Sequence, residues 1–181
     1  IKNTADITPI AEYLSNIEQV IAHIQSDIEF TRLYQQIGSS RPRWIPLSLI
    51  LTQLNFPGDI ELHSEVEQVE IYIDALICTV LEGQIDTTAL RIMNVRRVML
   101  SFHVEDGRLI ITYEDDGTGI APDVRELLFE KESPGQCGPG LFFIKEILAI
   151  TEITINETGT QGSGCRFEIT VPRDKWRYSA P

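Results

Sequence analysis

Cysteine, methionine and tryptophan are scarce in this chain: three, two and two among 181 residues. Cys78, Cys137 and Cys165 stand far apart, with no CxxC pair. An odd, sparse set of this kind argues against a disulfide framework and for free thiols in a reducing, cytoplasmic compartment. Cations are also few. Fifteen Lys and Arg face 27 Asp and Glu, a formal net charge of −12, which argues against nucleic acid as a partner. A nucleotide ligand stays open, because backbone N–H groups and a few local cations suffice to hold phosphates. No apolar run reaches the roughly 18 residues that a membrane span needs, so no membrane contact is expected. Internal repeats and low-complexity blocks are lacking, as is an initial methionine. The chain starts at Ile1 and soon enters a helical pattern, so we expect a piece of something longer. What is present is ordinary for a globular protein: 43% apolar residues, and length enough for one substantial domain with a small appendage.

The appendage comes first. Ile10, Leu14, Ile17, Ile21, Ile24 and Ile28 fall at alternating spacings of four and three, the 3.5-residue period of a helix seam. Tyr13, Val20 and Phe30 widen the stripe toward a bundle. Thr8-Pro9 is an N-cap followed by proline at the first helical position, and Gly38 to Pro42 ends the helix. Such a seam is expected to pair with a partner helix or a second copy; the alternative is a helix lying on its own domain's core.

From Trp44 to Leu54 the pattern predicts a short helix, and Phe56-Pro57-Gly58-Asp59 a turn. Ile60 to Val66 and Val69 to Ile73 alternate as strands, with Glu67-Gln68 as the connecting turn. His63 lies on the polar side of this alternation and reads as solvated. A helix is expected from Asp74, its N-cap, to about Arg91. Val95 to Val104 and Arg108 to Tyr113 form a hairpin around Glu105-Asp106-Gly107. Pro122 opens a short helix, residues 132–136 form a loop, and a helix begins at Leu141. Ile153 to Ile155 and Cys165 to Val171 make a last hairpin, and Pro172 onward reads as a tail. The fold class is therefore α+β: a long coiled-coil or bundle helix over residues 1–42, then a two-layer α/β sandwich over residues 43–181, mostly antiparallel, with helices covering one face.

Two glycine turns carry the chemistry. Asp115-Asp116-Gly117-Thr118-Gly119-Ile120 closes an apolar strand. An aspartate at such a strand end can accept a hydrogen bond from an exocyclic amine such as that of adenine, and the glycines permit close approach. Gly138-Pro139-Gly140-Leu141 opens a helix, whose N–H groups and dipole suit a phosphate. Lys131, Lys145 and Arg166 are candidate charges beside it.

These segments resemble the boxes of the ATP-binding catalytic domain of two-component sensor histidine kinases, in the histidine-kinase-like ATPase superfamily with its Bergerat-type fold. Asp115 to Ile120 resembles the G1 box, Leu128-Phe129-Glu130-Lys131 the F box, Gly138 to Ile147 the G2 box and following helix, and Gly162 to Ile169 the closing strand. Ile28 to Gly38, with Pro42-Arg43-Trp44, is similar to kinases of methanogenic archaea. The resemblance covers roughly residues 43–175. It implies that Asp115 binds the adenine amine, and that Gly117, Gly119, Ile120, Phe129, Leu141 and Cys165 belong to the ATP site. It implies further that Gly138 and Gly140 meet phosphates under a lid at about 121–139. The long helix would be the second helix of a dimerisation and phosphoacceptor hairpin, giving a homodimer, and a response regulator would be the downstream partner. The acceptor histidine would lie outside the chain, since His23 is followed by Ile24 and not by an acidic residue.

Three departures bear on catalysis. The acceptor helix is missing. Gly83 and Thr87 stand where the family's N box places Mg²⁺-binding asparagines, leaving Asp86 and Glu82 as carboxylates for a hard cation. Gln136 and Pro139 replace a glycine and a leucine of the G2 box, and Pro139 removes an N–H. The expected outcome is asymmetric: a retained nucleotide pocket with weakened Mg²⁺-dependent transfer. The alternative is a degenerate dimerising relay module. A chaperone- or topoisomerase-type clamp fits poorly with the short lid and the heptad helix.

Overall fold

The computed structural model describes residues 8–54, 56, 58–66, 68–83, 94–130 and 140–179. Two compact units are present, residues 1–36 and 37–181.

The first unit is helix α1, Thr8–Gln36, as the heptad spacing predicts. Leu14, Ile17, Ile21, Ile24 and Ile28 are all half or more exposed. The described seam positions are thus exposed. The side chains of Ile10 and His23 lie outside the described residues. Gly38, with φ +71°, follows the helix.

The second unit holds two sheets. One is five-stranded, in the order β2-β4-β5-β7-β6: β2 Glu61–Ser64, β4 Arg97–Glu105, β5 Arg108–Asp115, β6 Thr154–Glu157 and β7 Arg166–Val171. It is antiparallel except for the β2–β4 pair. The other is three-stranded, in the order β1-β3-β8: β1 Arg43–Pro46, β3 Val69–Ile73 and β8 Trp176–Tyr178. Helices α2 (Leu47–Leu51), α3 (Leu76–Gly83), α4 (Pro122–Arg125) and α5 (Gly140–Ala149) complete the described unit. Val98, Leu100, Leu109, Ile111 and Val171 are buried on one face of the larger sheet. Phe143, Ile144, Ile147 and Leu148 of α5 are buried as well, the burial expected of a helix covering an apolar sheet face.

Four local expectations are corrected. The strands β2 and β3 are not a hairpin: β2 pairs with β4, and β3 pairs with β1 and β8. The sandwich therefore has two sheets in place of one. Residues 43–46 form a strand, not a helix, since Trp44 and Ile45 pair opposite Tyr72 and Ile71. Pro46 then sits at the α2 N-terminus, where its missing N–H does no harm. The C-terminal segment is no tail. The Trp176 indole N–H donates to the Gly107 carbonyl at 2.9 Å. Arg177 pairs with Glu70 at 2.6 Å and lies 4.3 Å from the centroid of the Trp44 ring.

Other expectations hold. Asp106 and Gly107, at φ +51° and +79°, turn the β4–β5 hairpin; two consecutive positive φ values are what a two-residue turn of matching twist requires. Asp74 Oδ1 accepts the Leu76 N–H at 3.0 Å, capping α3. His63 is half exposed, 3.3 Å from Glu61.

Candidate functional site

The register of the larger sheet gathers polar groups at one end of its buried face. Val98 pairs with Asp115, Leu100 with Tyr113, Tyr113 with Phe167, and Phe167 with Glu157. Because strand side chains alternate, paired residues share a face. Asp115, Tyr113, Phe167 and Glu157 therefore stand together.

Asp115 is the last residue of β5 and is only 9% exposed. Its Oδ1 accepts the N–H groups of Gly117 and Cys165, each at 3.0 Å. Its Oδ2 accepts the Tyr113 hydroxyl at 3.1 Å. Burial first, and then the Asp115 carboxylate beside it, push the Tyr113 phenol well above the ordinary tyrosine range, so it remains a donor. The neighbouring Asp116 turns the other way. Its Oδ1 accepts the N–H groups of Arg96 and Arg97 at 2.8 and 2.9 Å, and these bonds lower its pKa. Of the two adjacent carboxylates, one faces the site and one ties the loop to β4.

The loop between β6 and β7 is stitched onto this turn. The Asp115 N–H donates to Cys165 O at 3.0 Å, and the Gly162 N–H to Thr118 O at 2.8 Å. Gly164 has φ +94°, and a Cβ there would overlap the Asp115 carbonyl. Gly119 has φ +69°, and a Cβ would sit 2.8 Å from Gly164 O and 2.9 Å from Thr160 O. Backbone meets backbone here, which explains the glycines better than a turn alone does.

An ion pair holds the loop's other end. The Glu157 side chain is 1% exposed and lies 2.5 Å from Arg125 of α4. Glu157 also accepts the Gly159 N–H at 2.9 Å, and Arg125 donates to the Gly159 carbonyl. Beside these groups lies an apolar cluster of Ile120, Leu128 and Cys165, with Tyr113, Val124, Phe129, Leu141 and Phe167 packed against it. Phe129 and Phe167 meet edge-on with centroids 6.4 Å apart, and Lys145 Nζ lies 5.8 Å from the Phe129 centroid.

Of the residues expected from the sequence, Asp115, Gly117, Gly119, Ile120, Phe129, Leu141 and Cys165 are brought together. Gly140 is buried at the start of α5, and Gly83 is the last residue of α3. Asp86, Thr87, Lys131 and Gly138 lie outside the described residues. Arg166 is corrected. It pairs with Glu114 and Glu168 at 3.2 and 3.0 Å, all three on the sheet face opposite Asp115 by strand alternation. Among the described residues no group of three or more His, Cys, Asp or Glu is placed to hold a metal. Tyr113, Glu157 and Arg125 were not expected. Tyr113 stands two residues before Asp115, and Glu157 continues the alternation of Ile153 and Ile155, so both were within reach of a period-two reading.

The family described as histidine kinase-, DNA gyrase B- and HSP90-like ATPase matches residues 83–175, just over half the chain. This chain belongs to that family. It is 23% identical over 118 residues to the sensor protein BceS of Halalkalibacterium halodurans, covering 61% of this chain and 35% of BceS. Among solved structures, full-length ShkA in complex with AMPPNP gives a TM-score of 0.61 at 21% identity, over 100% of this chain and 41% of ShkA. The mycobacterial sensor histidine kinase MprB gives 0.58 at 19% identity, over 72% of this chain and 97% of that one. The chain spans about a fifth to a third of the length of the curated relatives it matches. No helix among the described residues is long and apolar enough to cross a membrane.

Proposed function

We propose that this chain is the ATP-binding catalytic part of a sensor histidine kinase, with the adenine amine bound at Asp115. The observation that carries the reading is the orientation of that carboxylate: two backbone N–H groups fix Oδ1, and Oδ2 keeps acceptor capacity beside an apolar, aromatic cluster. Such a group suits an amine at the edge of a flat base. Gly117 and Gly119 allow the close approach, and Ile120, Phe129, Leu141 and Cys165 supply the apolar wall. The phosphates are assigned to the N-terminus of α5, which starts at Gly140 and favours negative charge; Gly138, assigned with it, lies outside the described residues. ATP supplies the phosphoryl group. The protein's part in such a transfer is positioning and charge stabilisation.

The acceptor is a histidine outside this chain, and a response regulator is the partner downstream. Residues 1–42 are the second helix of a dimerisation hairpin, so the working form is a cytoplasmic homodimer paired along the α1 seam. The exposure of Leu14, Ile17, Ile21, Ile24 and Ile28 supports this. The likeness of Ile28 to Gly38 to methanogen kinases supports an archaeal source. Mg²⁺ is assigned no step. Gly83 and Thr87 replace the two expected asparagines, and Asp86 and Glu82 are the remaining candidate ligands, so metal use is the weak side of the site. That same replacement favours a second reading, a relay module that binds nucleotide without transferring phosphate.

A transfer assay separates the two. The chain is mixed with γ-labelled ATP, Mg²⁺ and a separately made acceptor hairpin. Acid-labile label on the hairpin histidine is expected of the kinase. Saturable ATP binding with no label supports the relay, and neither binding nor label overturns both.

A further inference from the structure

The Asp115 carboxylate has about four acceptor positions, two on each oxygen. The Gly117 and Cys165 N–H groups fill those on Oδ1, and the Tyr113 hydroxyl takes one on Oδ2. Among the described residues, one position remains. We infer that Tyr113 is a specificity-determining residue, whose hydroxyl fixed on Asp115 Oδ2 leaves the carboxylate a single open acceptor and offers the ligand no donor. The inference rests on the reading that Asp115 binds the base.

Three features make Tyr113 suited to this. It lies on the same sheet face as Asp115, two residues earlier on one rigid strand, so the hydroxyl is delivered by β5 itself. Its ring packs against Phe167 with centroids 5.9 Å apart, which limits ring movement. Phe167 in turn meets Phe129, tying the phenol to the apolar wall. A base carrying an amino group donates to the open position. A base carrying a carbonyl there meets a carboxylate oxygen with no proton between them, an unpaired buried contact that costs affinity. If the hydroxyl were absent, Oδ2 would keep a second open position, and a water entering with the ligand would have two polar partners, Oδ2 and a base carbonyl. A water can turn a proton toward a carbonyl. The fixed phenol cannot, because its only proton is committed to Asp115.

The test is Tyr113→Phe, which keeps the ring packed on Phe167. Dissociation constants for ATP, ITP and purine riboside triphosphate, which lacks the 6-substituent, are measured for both proteins by calorimetry, with melting midpoints as a check of fold. The ratio of the ITP to the ATP constant is expected to fall about tenfold in the variant, the size of one hydrogen bond to a charged group. The purine analogue is expected to shift little. A ratio unchanged in the variant, whether the three nucleotides weaken together or not at all, overturns the inference while leaving ATP binding at Asp115 intact. Failure of the unaltered protein to bind ATP at millimolar concentration overturns the adenine reading itself, and this inference with it.

Discussion

At Gly164 the backbone lies so close to Asp115 that a methyl group collides with the carbonyl of the residue that orients the site. Gly164→Ala therefore combines overpacking with a left-handed conformation, at a cost of about 3 kcal/mol. Gly162 has a similar φ of +90° but open space around a Cβ, so Gly162→Ala costs only about 1 kcal/mol. Chemical denaturation of the two variants measures the difference, and equal losses would contradict the close-approach account. Asp116 is the residue to follow in acid. The Arg96 and Arg97 N–H groups hold its carboxyl below the ordinary value of 3.8. As pH falls, the unfolded chain binds this proton before the folded one does. The stabilisation is complete above 3.8 and is lost as pH falls through the lowered value. Asp116→Asn keeps an oxygen for both N–H groups and drops the titration. Its denaturation midpoint should decline less steeply in acid than that of the unaltered protein; identical acid limbs would remove Asp116 from the account.

Between elements, the Glu157–Arg125 pair joins the β6–β7 hairpin to α4. Glu157→Leu leaves Arg125, whose side chain is 35% exposed, without its carboxylate and the Gly159 N–H without its acceptor, so it should cost about 2 kcal/mol. The double variant Glu157→Leu, Arg125→Met should recover part of that loss, as expected when neither charge is left behind. Additive losses in a denaturant-based double-mutant cycle would show that the pair does not couple the two elements. Elements were legible in the sequence where the chain pairs with its neighbour. The β4–β5 hairpin could be read from Glu105-Asp106-Gly107 and the β6–β7 hairpin from two flanking apolar runs. They were not legible where pairing skips along the chain. Residues 61–64 and 69–73 both alternate, and alternation alone does not say which strand lies opposite. Their true partners, β4 for one and β1 with β8 for the other, are set by long-range burial. For the same reason Pro172 onward reads as a tail, although Trp176 and Arg177 anchor its described part.

At the scale of the whole molecule, the exposed apolar stripe of α1 is the proposed pairing surface. Ile21→Lys places a charge in the exposed apolar stripe and should shift the sedimentation mass toward monomer. A mass unchanged from that of a self-associating unaltered chain would assign pairing to another surface. The site itself was half legible. Asp115, Gly117, Gly119, Ile120, Phe129, Leu141 and Cys165 stood in recognisable order, and the fold brings them together. Alternation along β5 and β6 puts Tyr113 and Glu157 within reach, but Arg125 is hidden, because its role depends on a contact with Glu157, 32 residues away in sequence, which no linear motif displays.

The proposed binding of the adenine amine by the oriented Asp115 carboxylate is open to calorimetric titration of ATP into the unaltered chain and into Asp115→Asn. An amide in place of the carboxylate presents N–H groups where an acceptor is needed, and it weakens the bonds from Gly117 and Cys165. Saturable binding to the unaltered protein and a loss of at least about tenfold in the variant are expected. Equal affinity in the two proteins would rule out this role for Asp115.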